Sequence, residues 1–382
     1  MPARRNRPGV YIEESVSGAR SISGASTSVA AFVGSACRGP VNKATRILSF
    51  TDYQRRFGGL HPTSEMSFAV FQLFLNGGSE AWVVRVASKT GKATYAPDPS
   101  SRKGIYALDA VDTFNLLCLP GVTEPATLSD ASAYSKSRRA FLIADCRQNL
   151  TPEKVAGDAA SAPALRSDHA AIYYPWIKIG DPLNQGMLRT VSPSGSIAGL
   201  YARTDGTRGV WKAPAGTGAS IVGAQGVERE LADTEIEVLS RLGVNSIRLL
   251  PVGGVVSWGA RTLIHPSRAA SEYKYIPVRR LALFIEESLD RGTTWAVFEP
   301  NDEPLWAQLR LHAGAFLQDL FRQGAFQGQI PRDAYFVKCD RETTTQNDIS
   351  LGVVNIVVGF APLKPAEFVI IKISQIAGRS AA

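Results

Sequence analysis

The sequence predicts a mixed α/β, α+β fold divided into two domains, on three observations. Strand-like and helical runs alternate between Ala25 and Ile179, which points to an α/β layer. Several of those strand-like runs, among them NLLCLPG (115–121) and AFLIADC (140–146), are apolar on both faces, as strands covered by helices on both sides must be. From Tyr275 onward the pattern changes to two long amphipathic helices followed by further strand-like runs. A length of 382 residues fits two or three domains.

The first element is an isolated one. GVYIEE (9–14) reads as a strand of about five residues, with Val10, Ile12 and Glu14 on one face and Tyr11 and Glu13 on the other. A strand this short is not stable alone in water, and no turn signal supplies it with a neighbour. ASTSVAAFVGSACRGP, from Ala25, reads as a small-residue strand ended by Gly39-Pro40. In RILSFTDYQRRFGG, Ser49 or Thr51 can cap a short helix that Gly58-Gly59 ends. SEMSFAVFQLFLNGG places Met66, Ala69, Val70, Leu73 and Phe74 at helical spacing, and EAWVVRVA has the β-branched and aromatic content of a strand.

A polar loop is expected over 88–104, then a second β-α-β unit in which LSDASAYSKSRR is the helix and HAAIYYPWIKI (169–179) the closing run. Residues 180–226, rich in glycine and proline, read as ordered loop anchored by Leu200, Tyr201 and Trp211. YIPVRRLALFIEESLDRG carries Val278, Leu281, Ala282, Ile285 and Leu289 on one helical face, with Pro277 in the first turn and Gly292 at the exit. TTWAVFEP reads as a strand. The helix after it is capped by Asn301 or Asp302 and stopped at Gly324, with a buried stripe of Leu305, Leu309, Ala313, Phe316, Leu317 and Leu320. DAYFVKCD, GVVNIVVGF and EFVIIKISQI read as the last strands.

Hydrophobic residues make up 45% and charged residues 20%, ordinary for a globular chain with a sizeable core. No run of 18 apolar residues occurs, so neither a transmembrane helix nor membrane insertion is expected. The arginine-rich start lacks the apolar stretch of a secretory signal, and synthesis in the cytoplasm is expected. Cys37, Cys118, Cys146 and Cys339 form no CxxC pair and read as small buried thiols.

Chemistry is thinly represented. His61, His169, His265 and His312 form no HExxH or HxH pair, so no metal site is expected. SKTGKAT (88–94) resembles half a phosphate loop, but Val86 replaces its leading glycine and Ala93 the hydroxyl residue that would hold magnesium. GTGASIVG fails the dinucleotide fingerprint at Ile221, and SPSGSIAG lacks the nucleophile elbow. Ser167-Asp168-His169 is adjacent in sequence, which does not make a triad. Glu286, Glu287, Asp290, Glu299, Asp302 and Glu303 read as a solvated helix face plus a cap rather than paired catalytic carboxylates. No catalytic residue and no cofactor is expected. A hydrolase using the Gly/Pro-rich loops and a nucleic-acid-binding module using the net charge of +8 remain as alternatives.

Several stretches, in order, resemble the tail sheath proteins of contractile phages and of phage-tail-like injection systems. They are RPGVYIEE; TSVAAFVGSACRGPVNKATRILSFTDYQRRFGG; LNGGSEAWVVRV; YYPWIKI; PSGSIAGLYARTDGTRGVWKAPAG; WGARTL; YIPVRRLALFIEESLDRGTTWAVFEPNDEPLW; and APLKPAEFVIIKISQ. The likeness covers nearly the whole chain and is loosest over about 88–165. It implies a non-enzymatic subunit that polymerises as six-fold, helically stacked rings around an inner tube in a metastable extended state, then contracts to drive the tube through a target envelope. It implies four parts: an N-terminal arm (1–24), an outer α/β domain (25–265), an inner tube-facing domain (266–366) and a C-terminal arm (367–382). Strand exchange between subunits would then use Val10, Tyr11, Ile12, Glu13 and Glu14 at one end and Phe368, Val369, Ile370, Ile371, Lys372 and Ile373 at the other. Arg322, Arg332 and Lys338 become candidate contacts to an acidic tube. The implied partners are further copies of the chain, the inner tube protein, and baseplate and tail-terminator proteins, with no direct nucleic-acid contact. Assembly in a bacterial cytoplasm, as part of a virion or a phage-tail-like particle, is implied as well.

Overall fold

The computed structural model describes residues 21–87, 91–161, 166–264 and 271–367. Its strands are β1 (Ala30–Gly34), β2 (Thr45–Ile47), β3 (Ala81–Arg85), β4 (Leu116–Cys118), β5 (Phe141–Asp145), β6 (Ala170–Tyr174), β7 (Ile177–Gly180), β8 (Leu188–Val191), β9 (Ala224–Val227), β10 (Val244–Leu250), β11 (Gly254–Ser257), β12 (Tyr335–Lys338) and β13 (Val357–Phe360). Its helices are α1 (Phe50–Phe57), α2 (Glu65–Leu75), α3 (Lys92–Tyr95), α4 (Pro125–Ser137), α5 (Pro152–Ser161), α6 (Ser194–Arg208), α7 (Asp233–Arg241), α8 (Ile276–Thr293), α9 (Glu303–Arg322), α10 (Pro331–Ala334) and α11 (Gln346–Ser350).

An eight-stranded sheet in the order β11-β10-β6-β5-β4-β1-β3-β2 forms the body. Strands β10 to β3 in that order run parallel, and β11 and β2 close the edges antiparallel. Alternation along each strand feeds two cores: Ala30 and Phe32 of β1 face one layer, Ala31 and Val33 the other. Helices α2 and α6 cover the first face; α4, α5, α7 and a 3-10 segment over Gly104–Ala110 cover the second. Both faces are therefore dry, as the doubly apolar strands required.

The α1 helix begins at Ser49, whose hydroxyl accepts from the Asp52 N–H, and ends at Gly58 in the left-handed region. In α2, Met66, Ala69, Val70 and Leu73 are buried and Phe74 is half-buried. HAAIYYPWIKI is two strands rather than one. Pro175 carries no N–H for a ladder, and at that point the chain leaves the large sheet; β7 pairs instead with β8 and β9 in a small antiparallel sheet.

The largest departure lies in 180–226. Where composition reads as loop, the structure has α6, whose first nine residues, Ser194–Ala202, are all buried. Glycine lowers intrinsic helix propensity, but Gly195 and Gly199 let α6 press backbone to backbone on α2. A Cβ at Gly195 would lie 2.2 Å from the Ala69 carbonyl oxygen, and one at Gly199 would lie 2.5 Å from that of Leu73. Packing thus overrides propensity.

In the last third, α8 and α9 pack with the antiparallel pair β12–β13 around Leu281, Ile285, Phe316, Leu317 and Phe326. The expected α9 stripe is fully buried, and the Asp302 side chain caps it by accepting from the Leu305 N–H. TTWAVFEP is not a strand. It forms a 3-10 turn at Thr294–Ala296, after which Phe298, at φ 71°, stands wholly in solvent. Only the end of GVVNIVVGF, as β13, is a strand. EFVIIKISQI lies outside the described residues from Phe368 on.

Candidate assembly surfaces

In open parallel sheets, ligands bind beyond the strand C-termini where the strand order reverses. Here that point lies between β1 and β4. The chain's own helix starts fill it. The Ser64 hydroxyl, at the α2 cap, donates to the Ser35 carbonyl just after β1. At the α6 start, the Ser194 N–H and hydroxyl donate to the two oxygens of Asp145 at 2.9 and 2.8 Å, and the Gly121 N–H adds a third bond at 3.0 Å. Asp145 is wholly buried, and that burial pushes its carboxyl up to about 7 against those hydrogen bonds. The carboxylate sits where a substrate anion would otherwise meet the helix N-terminus.

Ser167, Asp168 and His169 do not form a triad. His169 Nδ1 lies 2.6 Å from Asp168, and its Nε2 lies 2.6 Å from the Arg279 guanidinium. A guanidinium only donates, so Nε2 accepts and the proton is on Nδ1. The Ser167 hydroxyl accepts from the His169 backbone N–H instead of facing the ring. Arg279 also lies over the Tyr273 ring at 4.6 Å, so this cluster fastens α8 to the start of β6. The acidic group on α8 is likewise structural: Glu287 and Asp290 bind Arg139, and Arg291 binds Glu287 and Asp112. Among the described residues no group of three or more His, Cys, Asp or Glu side chains could hold a metal ion, and no helix is long and apolar enough to cross a membrane. Of the four cysteines, Cys118, Cys146 and Cys339 are buried, but Cys37 is exposed, because it lies in the loop after β1.

The outermost described residues at each end are held on α8 or just before it. At the N-terminal side Ile22 is buried against Gly292, where a Cβ would come within 2.6 Å of its Cγ2. The Ala25 N–H donates to Ser288 Oγ at 2.9 Å. Thr27 then enters a buried cluster: its hydroxyl donates to Asp205 at 2.7 Å, and its carbonyl accepts from Arg280 at 2.9 Å. At the C-terminal side, Glu367 accepts from Arg261 Nε and Nη2, both at 2.6 Å, and from the hydroxyl of Tyr275, the residue that precedes α8, at 3.0 Å. Burial alone would raise the Glu367 carboxyl, but the Arg261 bonds and charge outweigh it and hold it below its usual range. From Tyr275 to Ser288 the helix rises about 20 Å, the spacing between the two roots. The arm strands themselves, Val10–Glu14 and Phe368–Ile373, lie outside the described residues.

A cleft of about 1160 Å³ opens beside the C-terminal root. Its walls include Trp211, Ala213, Ile236 of α7, Trp258 and Pro277, and residues 363–367 form one lip. Trp211 is half-buried and Trp258 exposed, with the Arg248 guanidinium 5.5 Å from the Trp258 ring centre.

Arg322, Arg332 and Lys338 fall on α9, α10 and β12. All three are exposed, and each has a carboxylate beside it: Asp319 at 3.7 Å, Asp333 at 3.8 Å and Glu342 at 3.9 Å. The alternating signs shorten the reach of their field. Sequence reading passed over the buried polar residues Arg280, Asp205 and Asp145 and the partly exposed Arg261–Glu367 pair. A signal was present for Arg280. IPVRRLALFI is apolar on every side of its arginine pair, so the pair has no solvent face to occupy.

Comparison with known proteins follows this geometry closely. The family profile described as "Phage tail sheath protein central domain" matches residues 99–263, and that described as "Phage tail sheath C-terminal domain" matches residues 269–376. The chain is similar to one in the anti-feeding prophage helical sheath in its contracted state, at 32% identity and TM-score 0.79, covering 97% of this chain and 99% of that one. It is similar to one in the contracted PVC sheath complex, an extracellular contractile injection system, at 30% identity and TM-score 0.79, covering 98% and 99%. A tail sheath protein of Vibrio phage KVP40 is 29% identical over 133 residues, which are 35% of this chain and 19% of that protein.

Proposed function

The chain belongs to the phage tail sheath family, a family of structural subunits of contractile phage tails and tail-like injection systems, and from that premise we propose the working cycle that follows. The subunit polymerises from a baseplate as six-fold rings stacked helically around an inner tube, closed by a terminator protein. The extended stack is held kinetically, and a trigger releases it into a shorter, wider stack that carries the tube forward. The partners are other copies of the chain, the tube protein, the baseplate and the terminator, and assembly takes place in a bacterial cytoplasm.

The observation that carries this reading is the full-length match to a sheath solved in its contracted state. The placement of the arm roots supports strand exchange. Ala25 and Glu367, at the two arm roots, are held about 20 Å apart, a separation that suits arms engaging different neighbours. In this reading residues 25–265 are the outer domain and 266–366 the inner, tube-facing one, with Arg322, Arg332 and Lys338 as its tube contacts. Main-chain ladders between copies would hold while the bodies rotate.

Negative-stain microscopy of the chain co-expressed with its tube protein tests the assembly. Hollow striated cylinders of two lengths and diameters are expected, and isolated subunits at every concentration would refute it. Deleting residues 1–18 should abolish long cylinders; normal cylinders from the truncated chain would remove the exchange step alone. Reversing the charge of Arg322, Arg332 and Lys338 together should weaken tube binding most at low salt.

A further inference from the structure

The cleft beside Glu367 has a volume of about 1160 Å³, above the roughly 300–1,000 Å³ of small-molecule sites. It is large enough to take a short peptide segment. Its walls are aromatic and aliphatic at Trp211, Ala213, Ile236, Trp258 and Pro277. The chain arrives at this cleft already fixed: residues 363–367 form its lip, and Arg261 and Tyr275 hold Glu367 by three hydrogen bonds. The next six residues, FVIIKI, are apolar on both faces except for Lys372. Such a strand left in water is an open edge that draws other chains into aggregates. Asp233 and Glu237 of α7 line the same cleft but are already paired with Arg248 and Arg241, and Lys212 and Lys364 line it too, so what the cleft offers the segment is apolar cover rather than a counter-charge.

We infer that in the unassembled subunit the cleft holds the subunit's own residues Phe368–Ile373, and that assembly draws them out. The inference rests on the strand-exchange reading above for what happens after release, but not for the docked state. The Arg261–Glu367 clamp sets where the segment enters, and the tryptophans cover its apolar side chains. A subunit in this state hides its adhesive strand, so polymerisation starts only where a growing end competes for it.

The test uses the full chain with Cys37→Ser, to remove the exposed thiol, and Ile371→Cys carrying a bimane label, whose emission tryptophan quenches on contact. In the free subunit the emission should be quenched equally at all protein concentrations. It should recover in Trp211→Phe/Trp258→Phe, in Trp258→Phe alone if the double variant does not fold, and on assembly into cylinders. Glu367→Gln should also raise the emission and shorten the lag before assembly. Unquenched label in the free subunit overturns the inference. Quenching that grows with concentration overturns it too, because it assigns the cleft to a second copy. Deleting residues 368–382 separates the two readings. Cylinders from that truncated chain would defeat strand exchange at this end and leave the quenching result standing; loss of cylinders without quenching in the full chain would defeat the docked state alone.

Discussion

Arg280 and Asp205 form a two-pronged ion pair shut off from solvent, at 2.9 and 2.6 Å, with side-chain exposures of 4% and 5%. The pair ties α8 to α6, and Thr27 joins it from the segment that leads to the N-terminal arm. Arg280 also lies 4.7 Å from the centre of the Tyr201 ring, whose hydroxyl meets that of Tyr173 at 2.7 Å. Arg280, Asp205 and Thr27 satisfy one another's polar atoms, so removing one of them strands the others.

Arg280→Ala should therefore destabilise the free subunit by about 3–5 kcal/mol, the usual cost of leaving a buried charge uncompensated. Replacing both members, Arg280→Met with Asp205→Leu, should cost much less than either single change. Urea denaturation followed by tryptophan fluorescence measures both, and additive losses in the double variant would contradict the coupling.

Two glycines of α6 should respond oppositely to alanine. At Gly195 the new Cβ meets the α2 backbone, and a loss of about 1–3 kcal/mol is expected. At Gly206, in the same helix, nothing lies within 4 Å, and alanine should gain about 0.4–1 kcal/mol. Thermal melts of the two variants side by side decide the matter.

Asp145 gives the fold a pH dependence of definite sign. Its folded value of about 7 lies above the ordinary 3.8, so the folded chain binds the extra proton between those limits. The contribution is full below the unfolded value and is lost as pH rises through the folded one. Between pH 5 and 8 it should amount to about 3 kcal/mol. Asp145→Asn should flatten that part of the stability profile, measured as urea midpoints across the same range.

Phe298 combines a left-handed backbone with full exposure, an arrangement that costs a bulky residue about 1–2 kcal/mol. Phe298→Gly should raise the stability of the free subunit by about 1 kcal/mol. If the ring is kept for contact with a neighbour, the same change should lower the yield of cylinders. A melt and a sedimentation assay on one sample test both halves.

The sequence made the layered α/β body legible because its strands are apolar on both faces and its first helix carries a plain cap at Ser49. The α9 stripe was legible for the same reason, a clean 3.6-residue period. Helix α6 was not, because Gly195 and Gly199 are chosen for contact with α2, and a close approach leaves no periodic signature. TTWAVFEP misled because its β-formers serve a turn, with Phe298 turned outward. The site residues divide in the same way. Family likeness pointed to the arms, whereas their roots depend on pairs far apart in the chain, such as Arg261 with Glu367 and Ala25 with Ser288. No local pattern records such pairings.

Helix α8 lies between the two roots, and this governs how force would cross a subunit. Under the strand-exchange proposal, a pull on one arm would enter at Ser288 or at Tyr275 and Arg261 and leave at the other, with α8 as the stiff element between them. The sheet joins that line at one end, because the Arg261 backbone N–H donates to Asn245 of β10 at 2.8 Å. A lattice of such subunits would behave as rods coupled by short tethers, so that tension during shortening is relayed from rod to rod.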